Sequence, residues 1–81
     1  MNRNEMLIKI HEIFRDIFDD TDLIINESTC SEDIDDWDSL EQINLIVSIE
    51  KSFDIKFDIL EIGNLNNVGE MINLIRTKIN D

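Results

Sequence analysis

The stretch DSLEQINLIVSIEKSF, residues 38–53, carries apolar residues on two sides of a predicted helix. At about 100° per residue, one apolar stripe lies nearly opposite the other. The larger stripe consists of Leu45, Ile46, Ile49 and Phe53, and the smaller stripe consists of Leu40, Ile43 and Val47. A helix in a chain of 81 residues can hardly bury both stripes. The pattern therefore predicts a helix whose larger stripe faces a core and whose smaller stripe is exposed. In the alternative, the polar segment that precedes the helix folds over the smaller stripe and makes it part of the core.

The start of this helix is well marked, but two registers fit it. Asp38 with Glu41 has the spacing of a capping box, and so has Ser39 with Gln42. If Ser39 is the N-cap, its hydroxyl accepts a backbone N–H and contributes about 0.5–2 kcal/mol to stability. The spacing alone leaves both registers open, and with them the question of what Ser39 does.

Further helices are predicted on both sides of residues 38–53. The first covers roughly residues 3–18, and the last begins after Asn67, which is followed by Glu70 at capping distance. Between them, the segment IKFDILEIG (55–63) predicts a brief helix ending at Gly63. Residues 55–57 could also form a strand, but a lone strand has no partner here. The apolar positions at helical spacing are Met6, Ile10, Ile13, Phe14 and Ile17 in the first helix, and Val68, Met71, Ile72, Ile75 and Ile79 in the last.

A long polar segment, residues 19–38, separates the first two helices. Its scattered apolar residues Leu23, Ile25 and Ile34 are expected to pin it across the helices. Loops of this length in small domains are uncommon and usually functional. The predicted fold is all-α: a small four-helix bundle of three main helices and one short helix, forming a single domain over residues 1–81.

The charge restricts the classes of partner. The chain has 19 acidic and 7 basic residues, a formal net charge of −12, which disfavours nucleic acid and anionic membranes and favours basic protein surfaces. No apolar run reaches transmembrane length, and charged residues interrupt the apolar N-terminal positions, so we expect neither a signal peptide nor membrane insertion. The single cysteine fits a reducing cytoplasm. We expect a cytoplasmic monomer.

Catalytic and metal-binding interpretations of the residues around Ser39 fail on their neighbours. An esterase elbow needs glycines two residues on either side, where Trp37 and Glu41 stand. The only histidine, His11, is interpreted as a solvated side chain on a surface helix. A calcium loop counted from Asp33 lacks the required glycine and the final glutamate. One cysteine and one histidine do not make a zinc site. We therefore expect no enzyme and no metal.

The same stretch resembles a known family. Asp38-Ser39-Leu40 at a helix start, followed by LIVSIEKSFDIKF and later by NNVGEMINLI, resembles the acyl carrier proteins over nearly the whole chain. The resemblance implies that Ser39, flanked by Asp38 and Leu40, is the attachment point for 4′-phosphopantetheine, transferred from coenzyme A by a phosphopantetheinyl transferase. It also implies that the chain carries acyl groups as thioesters and presents them to acyl-loading and acyl-transferring enzymes with basic docking surfaces.

The resemblance also points to the second helix as the surface for partner recognition. The residues expected to dock are Leu40, Glu41, Ile43, Val47 and Glu50. Some positions depart from familiar fatty-acid carriers, because Trp37 stands where a small residue is frequent, Asn44 and Lys51 where acids are frequent, and Asp58 where proline is expected. These departures leave fatty-acid synthesis and a dedicated secondary pathway equally open. Trp37 is expected to cover the core beside Ser39.

An alternative from a different class explains the same charge and helices. In that hypothesis the chain is an unmodified acidic helical adaptor that binds a basic partner, and Ser39 is only a helix N-cap. The adaptor does not account for the placement of Ser39 inside the Asp38-Ser39-Leu40 motif.

Overall fold

The computed structural model describes residues 2–63 and 65–79. Within these ranges the regular structure is four α-helices, with a short 3₁₀ turn at Ser31–Asp33 in the long loop between the first two. The helices are α1 (Arg3–Ile17), α2 (Ser39–Phe53), α3 (Ile59–Gly63) and α4 (Val68–Ile79). The all-α prediction is confirmed, and residues 55–57 are not a strand.

The core lies between α1, α2 and α4. Each helix contributes apolar residues at the spacing expected of one helical face, and the predicted faces of α1 and α4 are confirmed. The buried side chains are Met6, Ile10 and Phe14 from α1, Leu45 and Ile49 from α2, and Val68, Met71, Ile72 and Ile75 from α4. The predicted cap of α4 is also present, because Asn67 Oδ1 accepts the Glu70 N–H at 2.9 Å.

The two stripes of α2 face in different directions, as predicted. Ile46 joins Leu45 and Ile49 in being buried, and Phe53 packs against the core half-buried. The smaller stripe remains outside: the exposed fractions are 65% for Leu40, 59% for Ile43 and 41% for Val47. The long loop therefore does not fold over it. We call these three residues the exposed stripe.

The long loop, residues 18–38, is fastened to the helices by buried side chains and by polar contacts. Ile25 and Ile34 are buried and Leu23 is half-buried, as predicted. Arg15 Nε donates to the Leu23 carbonyl at 2.7 Å, and Arg3 pairs with the Glu27 carboxylate at 2.6 Å. These contacts lay residues 23–27 along α1, so the path of the loop toward Ser39 is determined.

His11 is not the solvated side chain that the sequence suggested. It is half-buried, and its Nε2 accepts a hydrogen bond from the Ile25 N–H at 2.8 Å. Burial, together with the nearby positive charge of Arg15, lowers the pKa of His11 below its ordinary value. The neutral ring is thus the form that fits the fold, since a protonated Nε2 could no longer accept the Ile25 N–H.

This arrangement predicts a stability loss at mildly acidic pH. Because the folded pKa of His11 is lowered, its contribution is fully present above the unfolded pKa of about 6.5 and is lost as the pH falls below that value. We expect the wild type to be more stable than His11→Gln at pH 7.5, and the difference to shrink at pH 5.5. Urea unfolding at both pH values measures it, and a difference independent of pH would show that His11 protonation is not coupled to folding.

Gly69 allows the loop to approach α4 closely. Its N–H donates to the Glu27 carbonyl at 2.7 Å, and a Cβ added at Gly69 would lie 3.0 Å from that same oxygen. The carbonyl has little freedom to move, because Arg3 holds the Glu27 side chain and also donates to Asn73 on α4. Close approach of two backbones therefore explains the glycine at this position.

We expect Gly69→Ala to destabilise the protein by about 1 kcal/mol through overpacking against the Glu27 carbonyl. Gly63→Ala is the matched control, because a Cβ at Gly63 meets nothing within 4 Å and its φ is not positive. Thermal unfolding of both variants checks this. Equal melting temperatures for the two variants would contradict the close-approach argument.

The short helix α3 owes its position to two polar contacts. Asp58, which replaces the expected proline, forms a capping box: its Oδ1 accepts the Glu61 N–H at 3.0 Å, and its own N–H donates to Glu61 Oε1 at 2.9 Å. The hydrogen bond with the Asp58 backbone and the ion pair with Lys78 of α4, at 2.9 Å, lower the pKa of Glu61. The capping box therefore begins α3, and the Lys78 ion pair ties the helix to α4.

Candidate functional site

Asp38, not Ser39, is the N-cap of α2. The Asp38 Oδ1 accepts the Glu41 N–H at 2.9 Å, and the Asp38 carbonyl accepts the Gln42 N–H at 2.9 Å. Ser39 is the first helical residue. The register in which Ser39 is the N-cap is therefore wrong. The adaptor hypothesis, in which Ser39 serves only as an N-cap, no longer explains this residue.

The Ser39 side chain is exposed and unengaged. Within residues 2–63 and 65–79 its hydroxyl has no hydrogen-bond partner. The only histidine of the chain, His11, already accepts the Ile25 N–H, so it is not available as a base for Ser39. Ser39 thus presents an accessible hydroxyl to which no described side chain is hydrogen-bonded.

An open groove of about 580 Å³ begins beside Ser39 and runs between α2 and α3; we call it the Ser39 groove. Asp38 lies at its Ser39 end, and Leu40 lies outside it on the exposed stripe. Its apolar lining comes from both helices and from the segments next to them. The lining includes Trp37, Ser39, Gln42, Ile43, Ile62 and Leu65.

Trp37 covers the core next to Ser39, as predicted. Its ring packs edge-on against Phe14, with ring centroids 5.2 Å apart and an interplanar angle of 85°. Its Nε1–H donates to Gln42 Oε1 at 2.6 Å. The sequence did not identify Gln42, Ile62 or Leu65 as groove residues, and no local pattern indicates them, because α3 meets α2 only in the folded chain.

The residues expected to dock partners lie close together but differ in availability. The exposed stripe is free, and Glu41 lies half-buried at its edge, with its Oε1 accepting a hydrogen bond from Asn44 Nδ2 at 2.8 Å. Glu50 is engaged elsewhere, because its Oε2 accepts the Phe57 N–H at 2.9 Å and so holds the connection to α3. Its carboxylate therefore has a structural role in addition to any part in docking.

The part of the chain that the structure describes has neither a metal-binding cluster nor a membrane-spanning helix. Among residues 2–63 and 65–79, no three His, Cys, Asp or Glu side chains group so as to hold a metal ion. No helix in these ranges is both long and apolar enough to cross a bilayer.

Comparison with known proteins gives one consistent result. No protein-family model matches the chain. A curated homologue of acyl carrier protein from Mycoplasma pneumoniae is 36% identical over 74 residues, covering 89% of this chain and 86% of its own. The acyl carrier protein of Thermosynechococcus vestitus is 29% identical over 80 residues, 98% of both chains.

A solved structure supports the same relationship. The solution NMR structure of a holo acyl carrier protein from Geobacter metallireducens is 42% identical to this chain, covers 91% of it and 85% of its own length, and superimposes with a TM-score of 0.85. Identity and fold therefore agree over most of each chain, and the chain belongs to the acyl carrier protein family, whose members carry acyl groups and are not enzymes.

Proposed function

We propose that this chain carries acyl groups as thioesters on a 4′-phosphopantetheine arm attached to Ser39. The observation that carries the proposal is the exposed Ser39 hydroxyl at the first residue of α2, left free because Asp38 caps the helix in its place. When bound, the arm supplies the terminal thiol on which the acyl thioester forms.

The surroundings of Ser39 fit a phosphodiester. The backbone N–H groups of Ser39 and Leu40 begin the helix and have no acceptor among the described residues, so they are available to an anion on the Ser39 oxygen. The positive end of the α2 dipole lies at the same place. The Ser39 groove offers the attached arm a surface to lie against.

Activation of the hydroxyl falls to the transferase, because no group among the described residues accepts a hydrogen bond from the Ser39 side chain. The Ser39 Oγ would form the new bond to phosphorus, 3′,5′-ADP would leave coenzyme A, and the transferase would take the hydroxyl proton. This division of roles suits a carrier, because its serine hydroxyl reacts in the complex with the transferase and stays unreactive in water.

Docking is proposed at the exposed stripe with Glu41 and Glu50 at its edges. Leu40, Ile43 and Val47 would give a partner apolar contacts next to Ser39, and the net charge of −12 would steer it through a basic surface. The partners are the phosphopantetheinyl transferase and the acyl-loading and acyl-transferring enzymes. The compartment is a reducing one such as the cytoplasm, which the single cysteine favours.

The test is the intact mass of the apo protein after incubation with coenzyme A and a broad-specificity phosphopantetheinyl transferase. We expect a single addition of one phosphopantetheinyl group, with fragment ions locating it on Ser39. A chain that gains no mass, alongside another carrier that the same enzyme modifies fully, would contradict the proposal.

A further inference from the structure

Trp37 forms the inner wall of the Ser39 groove, between the groove and the core. Trp37 lines the groove together with Ser39. The same ring packs edge-on against Phe14, a fully buried residue of α1, and the ring of Phe18 lies 6.3 Å away from it. Because Trp37 both lines the groove and packs against the core, entry into the core at this point requires the indole to move.

The indole is fixed on its polar edge as well. Its Nε1–H donates to Gln42 Oε1 at 2.6 Å, and Gln42 lies on α2 three residues after Ser39. Moving the ring would break this hydrogen bond and leave both groups, which are half-buried, to find new partners. It would also separate Trp37 from the edge-to-face contact with Phe14.

The space behind Trp37 is already occupied. Trp37 packs against a core that includes Phe14, Leu45 and Ile49, each of them fully buried. Because protein interiors are close-packed, an alkyl chain entering there would have to displace such side chains. The groove in front of Trp37 is open to water and has polar residues in its lining, among them Gln42, Asp38 and Asn66. An alkyl chain in this groove would stay largely hydrated, so each added methylene would contribute little to the stability of the protein.

We propose that Trp37, held by Gln42 and Phe14, closes the core to the cargo, so that this carrier is adapted to short or polar acyl groups. This inference rests on the proposed attachment at Ser39. Trp37 acts as a specificity determinant for cargo, because it decides how much of an acyl chain the protein can bury.

The experiment loads the wild type from acetyl-, hexanoyl-, decanoyl- and tetradecanoyl-coenzyme A with a broad-specificity transferase, confirms each product by mass, and measures its melting temperature. A buried methylene would raise the melting temperature of a domain of this size by roughly 3–6 °C. We expect the wild-type melting temperature to stay within about 2 °C across the series, less than one buried methylene would add.

Two substitutions distinguish the effect of the indole from the effect of the neighbouring aromatic rings. Trp37→Leu removes the wall, and its melting temperature is expected to rise with each longer acyl chain. Phe18→Leu is the matched control, since Phe18 belongs to the same cluster but does not line the groove, and its series should stay flat. If Trp37→Leu does not fold, Gln42→Leu, which removes the acceptor that fixes the indole, takes its place with the same expectation.

Fluorescence gives a second readout, because Trp37 is the only tryptophan. Its emission should be the same in the acetyl and tetradecanoyl forms of the wild type. A wild-type melting temperature or emission that changes progressively with chain length overturns the inference, and so does a flat series in the substituted protein. Failure of all four loadings would instead count against attachment at Ser39.

Discussion

We expect Ile49→Asp to unfold the protein. Ile49 is fully buried on α2 against the core, and a carboxylate there would have no partner. A loss of about 4 kcal/mol or more is expected for an unpaired buried charge, and that is comparable with the whole stability of a small domain. Far-ultraviolet circular dichroism should show loss of helix at room temperature.

The matched variant on the opposite side of the same helix should stay folded. Val47→Asp introduces the same charge at a position that is 41% exposed on the exposed stripe, two residues away in sequence. We expect its circular dichroism and melting to change little, and its rate of modification at Ser39 to fall about tenfold or more, as for loss of about 1.4 kcal/mol at an interface.

A control separates docking from charge alone. Asn4→Asp adds the same charge on the exposed surface of α1 and should leave the modification rate nearly unchanged. The proposed docking surface is wrong if Val47→Asp unfolds the protein as badly as Ile49→Asp, or if Asn4→Asp slows modification equally.

The second large effect is expected at Ser39 itself. Ser39→Ala should abolish modification and leave the protein folded with a stability change within about 0.5 kcal/mol, because Asp38 supplies the helix cap. Asp38→Ala should instead lower the free energy of unfolding by about 1 kcal/mol, because it removes the helix cap, while the Ser39 hydroxyl is retained. Chemical denaturation measures both variants. If Ser39→Ala were as unstable as Asp38→Ala, Ser39 would have a structural role that its exposed side chain does not indicate.

The helices and the exposed stripe could be predicted because local periodicity determines them. Seven apolar residues on α2 cannot all face one core, so the division between Ile49 and Val47 followed from spacing alone. The cap of α4 was equally local, since Asn67 and Glu70 contact each other within one turn.

The features that could not be predicted depend on backbone geometry or on contacts between distant segments. Asp38 and Ser39 both had capping spacing, and the backbone geometry of Asp38 with its hydrogen bond from the Glu41 N–H distinguishes them. His11 looked solvated because its partner, the Ile25 N–H, lies fourteen residues away across the loop. The Ser39 groove needs α2 and α3 side by side. Asp58 and Glu61 have local capping spacing, but the ion pair that ties α3 to α4 joins Glu61 to Lys78 and has no local pattern.

The measurement that tests the carrier role most directly is the intact mass of the protein loaded from acetyl-coenzyme A, before and after neutral hydroxylamine. We expect one acetyl-phosphopantetheinyl addition on Ser39. Hydroxylamine should remove only the acetyl group, because it cleaves the thioester and leaves the phosphodiester. Ser39→Ala should show neither mass. An unmodified wild type, or an addition that persists in Ser39→Ala, would contradict the assignment of Ser39 as the attachment site.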